Sequence, residues 1–178
     1  GYITSTPMQL LSSISAIATK GKIFKPKIVS KIGSEPLKPE LLHEIKIKDQ
    51  QHWNIIEKSM IKVIQSWNGT AHNLYTEGGV VIAGKTGTAE KSGVGGYSKK
   101  KINTFASIFP ASDPKYTLVV MLDEPKTNSD YIYNYRDGSG KKYKGTPFNT
   151  AGWTSVEVVG QIIDKIGPIL ATKYNEVY

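Results

Sequence analysis

The chain has 178 residues, 39% hydrophobic and 21% charged, which suits a globular protein long enough to bury one core. Its net charge is +8 but Arg136 is its single arginine, so the basic character is a lysine surface, poorly suited to bidentate phosphate or base-edge reading. Absence of cysteine excludes disulfides and thiolate metal sites, the three histidines His43, His52 and His72 lack ligand spacing, and no apolar run approaches the ~18 residues of a membrane span.

In chain order, Thr6-Pro7-x-Gln9 carries a capping-box spacing with proline at the first helical position. Leu10, Leu11, Ile14, Ile17 and Ala18 then recur at helical spacing, and Gly21 is placed to stop the helix. Lys25 to Ile32 alternates weakly, which predicts a short exposed strand, and Pro36 and Pro39 sit in a polar connector. Asp49 is placed to cap a second helix with Trp53, Ile56, Met60, Val63 and Trp67 on one face. Gly69 to Gly79 reads as a turn-rich link into a buried strand made by Val80, Val81, Ile82 and Ala83.

Gly93, Gly95 and Gly96 then predict a flexible hairpin loop carrying Lys99, Lys100 and Lys101. Ile102–Pro110 and Tyr116–Asp123 are two further strands joined by a tight turn at Ser112–Lys115, and the run Leu118 to Leu122 predicts a central strand covered on both faces. Pro125 to Asn149 is a long loop with Tyr131, Tyr133, Tyr135, Tyr143 and Phe148, read either as a binding surface or as a partly ordered cleft wall. Thr154-x-x-Glu157 predicts a capped last helix burying Val156, Val159, Ile163, Ile166 and Leu170. Helices before and after hairpin-linked strands argue an α+β fold, with an antiparallel β-sheet packed against helices.

The most informative stretch is residues 84–90, Gly-Lys-Thr-Gly-Thr-Ala-Glu. It sets a cation, two hydroxyls and a residue without a side chain at a strand end. Alternation puts Lys85 and Gly87 on one strand face, with Thr86 and Thr88 on the other. A glycine beside a lysine leaves room for another backbone or a ligand to approach the ammonium group. A given Lys-Thr-Gly should occur by chance in a chain this size about a few times in a hundred. Such a rim suits an anionic, extended peptide.

Lys-Thr-Gly is one of three signatures of the acyl-serine penicillin-recognising enzymes, with Ser-x-x-Lys and a Ser-x-Asn-type motif. The surrounding sequence resembles the C-terminal half of a class B penicillin-binding protein transpeptidase domain. Thr6–Leu11 with Ile17–Gly21, Lys25 and Pro26 resembles one family segment, and Met60–Ile64 with Gly69-Thr70-Ala71 resembles another. Phe105–Pro110 and Tyr116–Leu122 resemble the strands that follow Lys-Thr-Gly, and Thr150–Trp153 resembles the end of division-type members.

The resemblance implies a five-stranded sheet between helical layers, two strands and the helical subdomain lying outside this chain. Residues 1–178 are thus expected to be the C-terminal portion of one transpeptidase domain, since they open at Gly1 within a matched segment. It also implies roles. Lys85 would add positive potential beside the nucleophile, the Thr86 and Thr88 hydroxyls would hold a terminal carboxylate, and the Thr88 amide would be an oxyanion donor. Gly87 would let the nucleophile helix approach, and the edge through Ala89 and Glu90 would pair with an extended peptide. The implied ligands are the stem peptide of peptidoglycan, ending in D-Ala-D-Ala, and β-lactams. Cell-division proteins are implied partners. The implied place is the periplasmic or extracytoplasmic face of the cytoplasmic membrane, with an anchor upstream.

Four Ser-x-x-Lys strings occur, starting at Ser59, Ser98, Ser112 and Ser139, and lysine abundance makes each common by chance. Ser59 alone falls on a predicted helix, but on the one resembling the family's Met60–Ile64 segment, not the nucleophile helix. Ser66-Trp67-Asn68 has the Ser-x-Asn form at that helix's end and is read as coincidence. With one motif of three, the chain by itself is expected to be inactive, needing no metal or cofactor. Two other readings stand beside this one: a non-catalytic penicillin-binding-like sensor or scaffold, and a basic nucleic-acid module motivated by pI ≈ 9.4 and ten tyrosines, with no nucleic acid expected.

Overall fold

The computed structural model describes residues 4–74, 76–93, 95–126, 130, 132–134, 142–144 and 149–176. Helix α1 (Pro7–Ala18) starts as expected: the Thr6 hydroxyl accepts from the Gln9 amide, and the Gln9 side chain accepts from the Thr6 amide. It buries Ile14 and Ala16 and ends at the C-cap Thr19, after which Lys20 (φ +55°) and Gly21 (φ +106°) turn the chain, the Gly21 amide donating to the Ala16 carbonyl at 2.7 Å. Four short strands follow: β1 (Lys22–Phe24), β2 (Lys31–Ile32), β3 (Glu35–Pro36) and β4 (Leu41–Glu44). β1 pairs with β4 and β2 with β3, all antiparallel. The single strand expected over Lys25–Ile32 is therefore a nested pair of hairpins, because Gly33 at φ +61° turns the chain back at once.

Helix α2 (Gln51–Gln65) has Gln50, not the expected Asp49, as its N-cap, while the Asp49 carboxylate one residue earlier accepts the Gln51 amide at 2.8 Å. Trp53, Met60 and Ile64 are its buried residues. Trp67, expected on that face, is 83% exposed, because the chain turns extended at Ser66 and leaves the helical track.

Three strands make the main sheet: β5 (Ala83–Gly93), β6 (Gly96–Phe109) and β7 (Tyr116–Asp123), antiparallel in the order β5-β6-β7. The sheet departs from sequence expectation in three places. Val80, Val81 and Ile82 precede the strand, and Lys-Thr-Gly lies inside β5 near its start. Lys99, Lys100 and Lys101 belong to β6, because the hairpin turns at Gly95 and Gly96, both at positive φ. The central strand among the described residues is β6, whose Phe105 to Phe109 are all buried, while β7 is an edge strand, only half-buried from Tyr116 to Val120.

Within the expected tyrosine loop, β8 (Ile132–Asn134) pairs with β9 (Lys142–Lys144). Tyr131, Tyr135 and Phe148 lie outside the described residues. A short 3-10 turn (Ala151–Trp153) leads into α3 (Ser155–Glu176), which buries Val156, Val159 and Ile163. The expected Thr154–Glu157 capping box does not form. Thr154 instead donates to the Thr150 carbonyl and accepts from the Asn103 amide, and Glu157 pairs with Gln161.

Packing follows side-chain parity. Ala83, Ala106 and Ile108 meet Ile14 of α1 and Met60 of α2 on one face. Phe105 and Phe109 meet Val156, Val159 and Ile163 of α3 on the other. The result is an α+β fold, an antiparallel sheet between helices.

Candidate active site

The site is built along β5, whose start is fixed by burial. Ala83 is fully buried, and Gly84 sits where a Cβ would lie 2.3 Å from the Phe105 ring. From Lys85 on, the strand opens to solvent, and no described strand pairs with its outer edge. Directly opposite residues in an antiparallel pair share a face. Lys85 lies opposite Ala106 and Gly87 opposite Thr104, on the α1 side. Thr86 lies opposite Phe105 and Thr88 opposite Asn103, on the α3 side. The cation and the two hydroxyls therefore flank the same unpaired edge from opposite faces.

Lys85 folds back to donate to the Thr86 carbonyl at 2.8 Å, and no carboxylate pairs with it among the described residues. Gly87 is open on its own face: a Cβ there meets only Thr104, at 3.9 Å. Nothing in the described chain demands glycine at 87. The glycine that packing does demand is Gly84, which sequence reasoning passed over. Ala89 and Glu90 continue the exposed edge to an irregularity between Glu90 and Ser92.

On the hydroxyl side β5 borders a cleft of about 560 Å³, within the usual range for small-ligand sites. Its walls are Thr86 and Thr88, the segment from Trp67 to Asn73, and the 3-10 turn with Thr150 and Trp153. Thr86 shares a 2.8 Å hydrogen bond with the Thr70 hydroxyl, and Thr88 accepts the Ala151 amide at 3.0 Å. His72 packs edge-on against Trp153, ring centroids 6.4 Å apart. Asn73 donates to the Gly152 carbonyl at 3.2 Å. A Cβ on Gly152 would fall 2.4 Å from the Thr70 carbonyl oxygen, so the two turns touch through that glycine.

Residues 1–144 match the family model described as the penicillin binding protein transpeptidase domain. This chain belongs to that family. The "Peptidoglycan D,D-transpeptidase MrdA" of Haemophilus influenzae is 26% identical over 168 residues, covering 80% of this chain and 26% of that protein. "Penicillin-binding protein H" of Bacillus subtilis is 33% identical over 144 residues, covering 71% of this chain and 20% of its own length. A 61-residue stretch is 52% identical to a "Peptidoglycan D,D-transpeptidase FtsI homolog" of Chlorokybus atmophyticus, 33% of this chain and 9% of that protein. The chain thus spans about a quarter or less of these relatives. Among solved structures, Pseudomonas aeruginosa PBP2 in complex with WCK 5153 superposes with TM-score 0.68 at 24% identity, over 93% of this chain and 31% of that one. That likeness carries the fold.

None of the described serines of the Ser-x-x-Lys strings, Ser59, Ser98 and Ser112, lines the cleft beside Lys-Thr-Gly. Ser59 is exposed on α2 and donates to the Ile55 carbonyl at 2.7 Å, a bond internal to its helix. Ser98 accepts the Lys100 amide inside β6, Ser112 sits in the β6–β7 turn, and Ser139 lies outside the described residues. Sequence reasoning assigned no role to Thr70, Asn73, Ala151 or Gly152. Gly69-Thr70-Ala71 and Thr150–Trp153 stand out as family segments, but nothing in their spacing says that they touch beside β5.

Proposed function

We propose that this chain is the C-terminal portion of a peptidoglycan D,D-transpeptidase domain, whose parent cross-links stem peptides through an acyl-serine intermediate and is acylated by β-lactams. The observation that carries the reading is the Lys85–Thr88 segment on an unpaired strand edge, cation on one face and hydroxyls on the other. Family membership and relatives named as D,D-transpeptidases support it. Residues 1–178 supply the recognition side, and the nucleophile comes from another part of the parent.

The chemistry divides accordingly. A serine outside this chain attacks the carbonyl carbon of the penultimate D-Ala, and the terminal D-Ala leaves as its amine takes a proton. The amine of a second stem peptide then attacks the acyl-serine and restores the hydroxyl. This chain's residues orient and stabilise. Lys85 places positive charge beside the reacting centre, favouring a neutral lysine base there. The Thr88 amide donates to the developing oxyanion, and Thr86 and Thr88 hold the carboxylate. Gly87 leaves space for the nucleophile-bearing helix, and Ala89 and Glu90 extend the edge on which the peptide pairs as an added strand. The working place is the extracytoplasmic face of the membrane; no described helix is long and apolar enough to cross it.

Intact mass after incubation with excess benzylpenicillin tests the reading. The full parent gains one penicilloyl adduct on a serine outside these residues, and the 178-residue chain gains none. A stable adduct on Ser59 of the isolated chain would overturn it.

A further inference from the structure

We infer that Thr70 is a positioning residue that orients the Thr86 hydroxyl as a donor and so tunes the cleft for the substrate's carboxylate; this rests on the transpeptidase reading above. Three hydroxyls meet at the cleft. Each has one proton to give and two lone pairs to receive with. At Thr88 one lone pair is taken by the Ala151 amide, and among the described residues no acceptor takes its proton. Thr70 and Thr86 share a single 2.8 Å bond, which uses one of their two protons and leaves the other. Among the described residues the cleft therefore holds two unspent O–H donors.

The lining contains no aspartate or glutamate to accept them. Residues two apart on one strand face stand about 6.7 Å apart. A carboxylate reached by two O–H···O bonds of about 2.7 Å spans a comparable gap. For Thr86 to be one of the two donors, the shared proton must come from Thr70. A chain running Thr70 to Thr86 to ligand also strengthens the outer bond, because hydrogen bonds in series polarise one another.

Thr70 is held for this task from below. Its carbonyl packs on Gly152, where a Cβ would come within 2.4 Å, and Asn73 ties the same turn to the Gly152 carbonyl. The two touching turns on the hydroxyl side of β5 thus fix both hydroxyl partners, Thr70 for Thr86 and the Ala151 amide for Thr88.

The test compares the full parent and its variants on two ligands, benzylpenicillin and its methyl ester, which lacks the free carboxylate. Thr70→Val should lower second-order acylation by benzylpenicillin about tenfold, the loss lying in binding and not in the first-order step. Its acylation by the ester should match that of the unmodified parent. Thr70→Ser, which keeps the hydroxyl, should stay within about twofold on both. Equal losses on both ligands, a serine variant as impaired as valine, or no loss at all would overturn the positioning role. If Thr70→Val does not unfold cooperatively, Thr70→Ala enters the same comparison. A parent that neither ligand acylates would instead overturn the transpeptidase reading.

Discussion

Two lysines six residues apart on β5 live in opposite circumstances. Lys91 is gripped by Asp123 at 2.6 Å and Glu124 at 2.8 Å, and Glu124 is held in turn by Lys100 at 3.1 Å. Lys85 is exposed, and among the described residues it meets only the backbone carbonyl of its neighbour. Since β6 lies between β5 and β7, the Lys91 cluster ties the far end of the hairpin across the whole sheet. A charge that a fold uses is neutralised within the fold. A charge left without a carboxylate at an open edge is available to something else.

The largest effects should separate those two lysines. In the full parent, Lys85→Ala should lower the acylation rate by about 10²- to 10³-fold, the range for losing an electrostatic stabiliser at a reacting centre. Its unfolding midpoint should move by less than about 2 °C, as for other exposed substitutions. Lys91→Ala should do the reverse, leaving acylation within about twofold and lowering the midpoint. Fluorescent-penicillin kinetics and calorimetry on both variants give the four numbers. A Lys91→Ala parent as slow as Lys85→Ala would erase the distinction.

Two glycines three residues apart sharpen it next. Gly84→Ala puts a methyl 2.3 Å from the fully buried Phe105 ring and 3.1 Å from the Ala106 carbonyl, so it should cost about 1–3 kcal/mol of stability. Gly87→Ala meets only Thr104 at 3.9 Å and has no positive φ to relieve, so it should leave stability unchanged or raise it by about 0.4–1 kcal/mol. On the proposed reading, in which the nucleophile helix approaches this open face, acylation of the parent should still fall about tenfold or more in Gly87→Ala. Denaturant melts beside penicillin labelling check both. Full labelling in Gly87→Ala would show that this face stays open in the parent.

Much of this was legible in the sequence, and the failures have physical causes. Alternation gave the faces of Lys85, Thr86, Gly87 and Thr88 correctly, because a period of two is enforced by the pleat whatever the strand's limits. The limits themselves were misplaced. A short apolar run reads equally as strand or as the lead-in to one, and Val80 to Ile82 proved to be the lead-in. The helical period puts Trp67 on a buried face only if it is extended past the helix end at Gln65, where the chain turns extended. The Thr154–Glu157 box lost to tertiary structure: Thr154 is more useful to Asn103, a buried side chain that also donates to Asn149. Thr70 and Gly152 were beyond reach, since 82 positions separate them and only the folded chain brings them together.

The smallest effect lies in how the Lys91 cluster responds to pH and salt. Hydrogen bonds to Asp123 first, and then to Glu124, hold the Lys91 ammonium above the ordinary lysine range. Hydrogen bonds from Lys91 and then Lys100 hold the Glu124 carboxyl below the ordinary glutamate range. A lysine whose affinity for its proton rises on folding stabilises the fold below its unfolded pKa and loses that contribution as pH climbs through the folded one. A carboxylate whose pKa falls on folding stabilises above its unfolded pKa and loses that contribution as pH drops through the folded one. The cluster therefore works across the neutral range and fails at both ends. The midpoint gap between the unmodified chain and Lys91→Ala should be widest near neutrality. It should narrow under strongly acidic conditions, where Glu124 takes a proton, and again under strongly alkaline conditions, where Lys91 gives one up. Because these groups are solvent-exposed to differing degrees, 1 M salt, with a screening length of about 3 Å, should shrink the gap at neutral pH as well. A gap that stayed constant from acid to alkali in Lys91→Ala would mean that packing of the lysine's methylene stem, and not its charge, fastens β5 to β7.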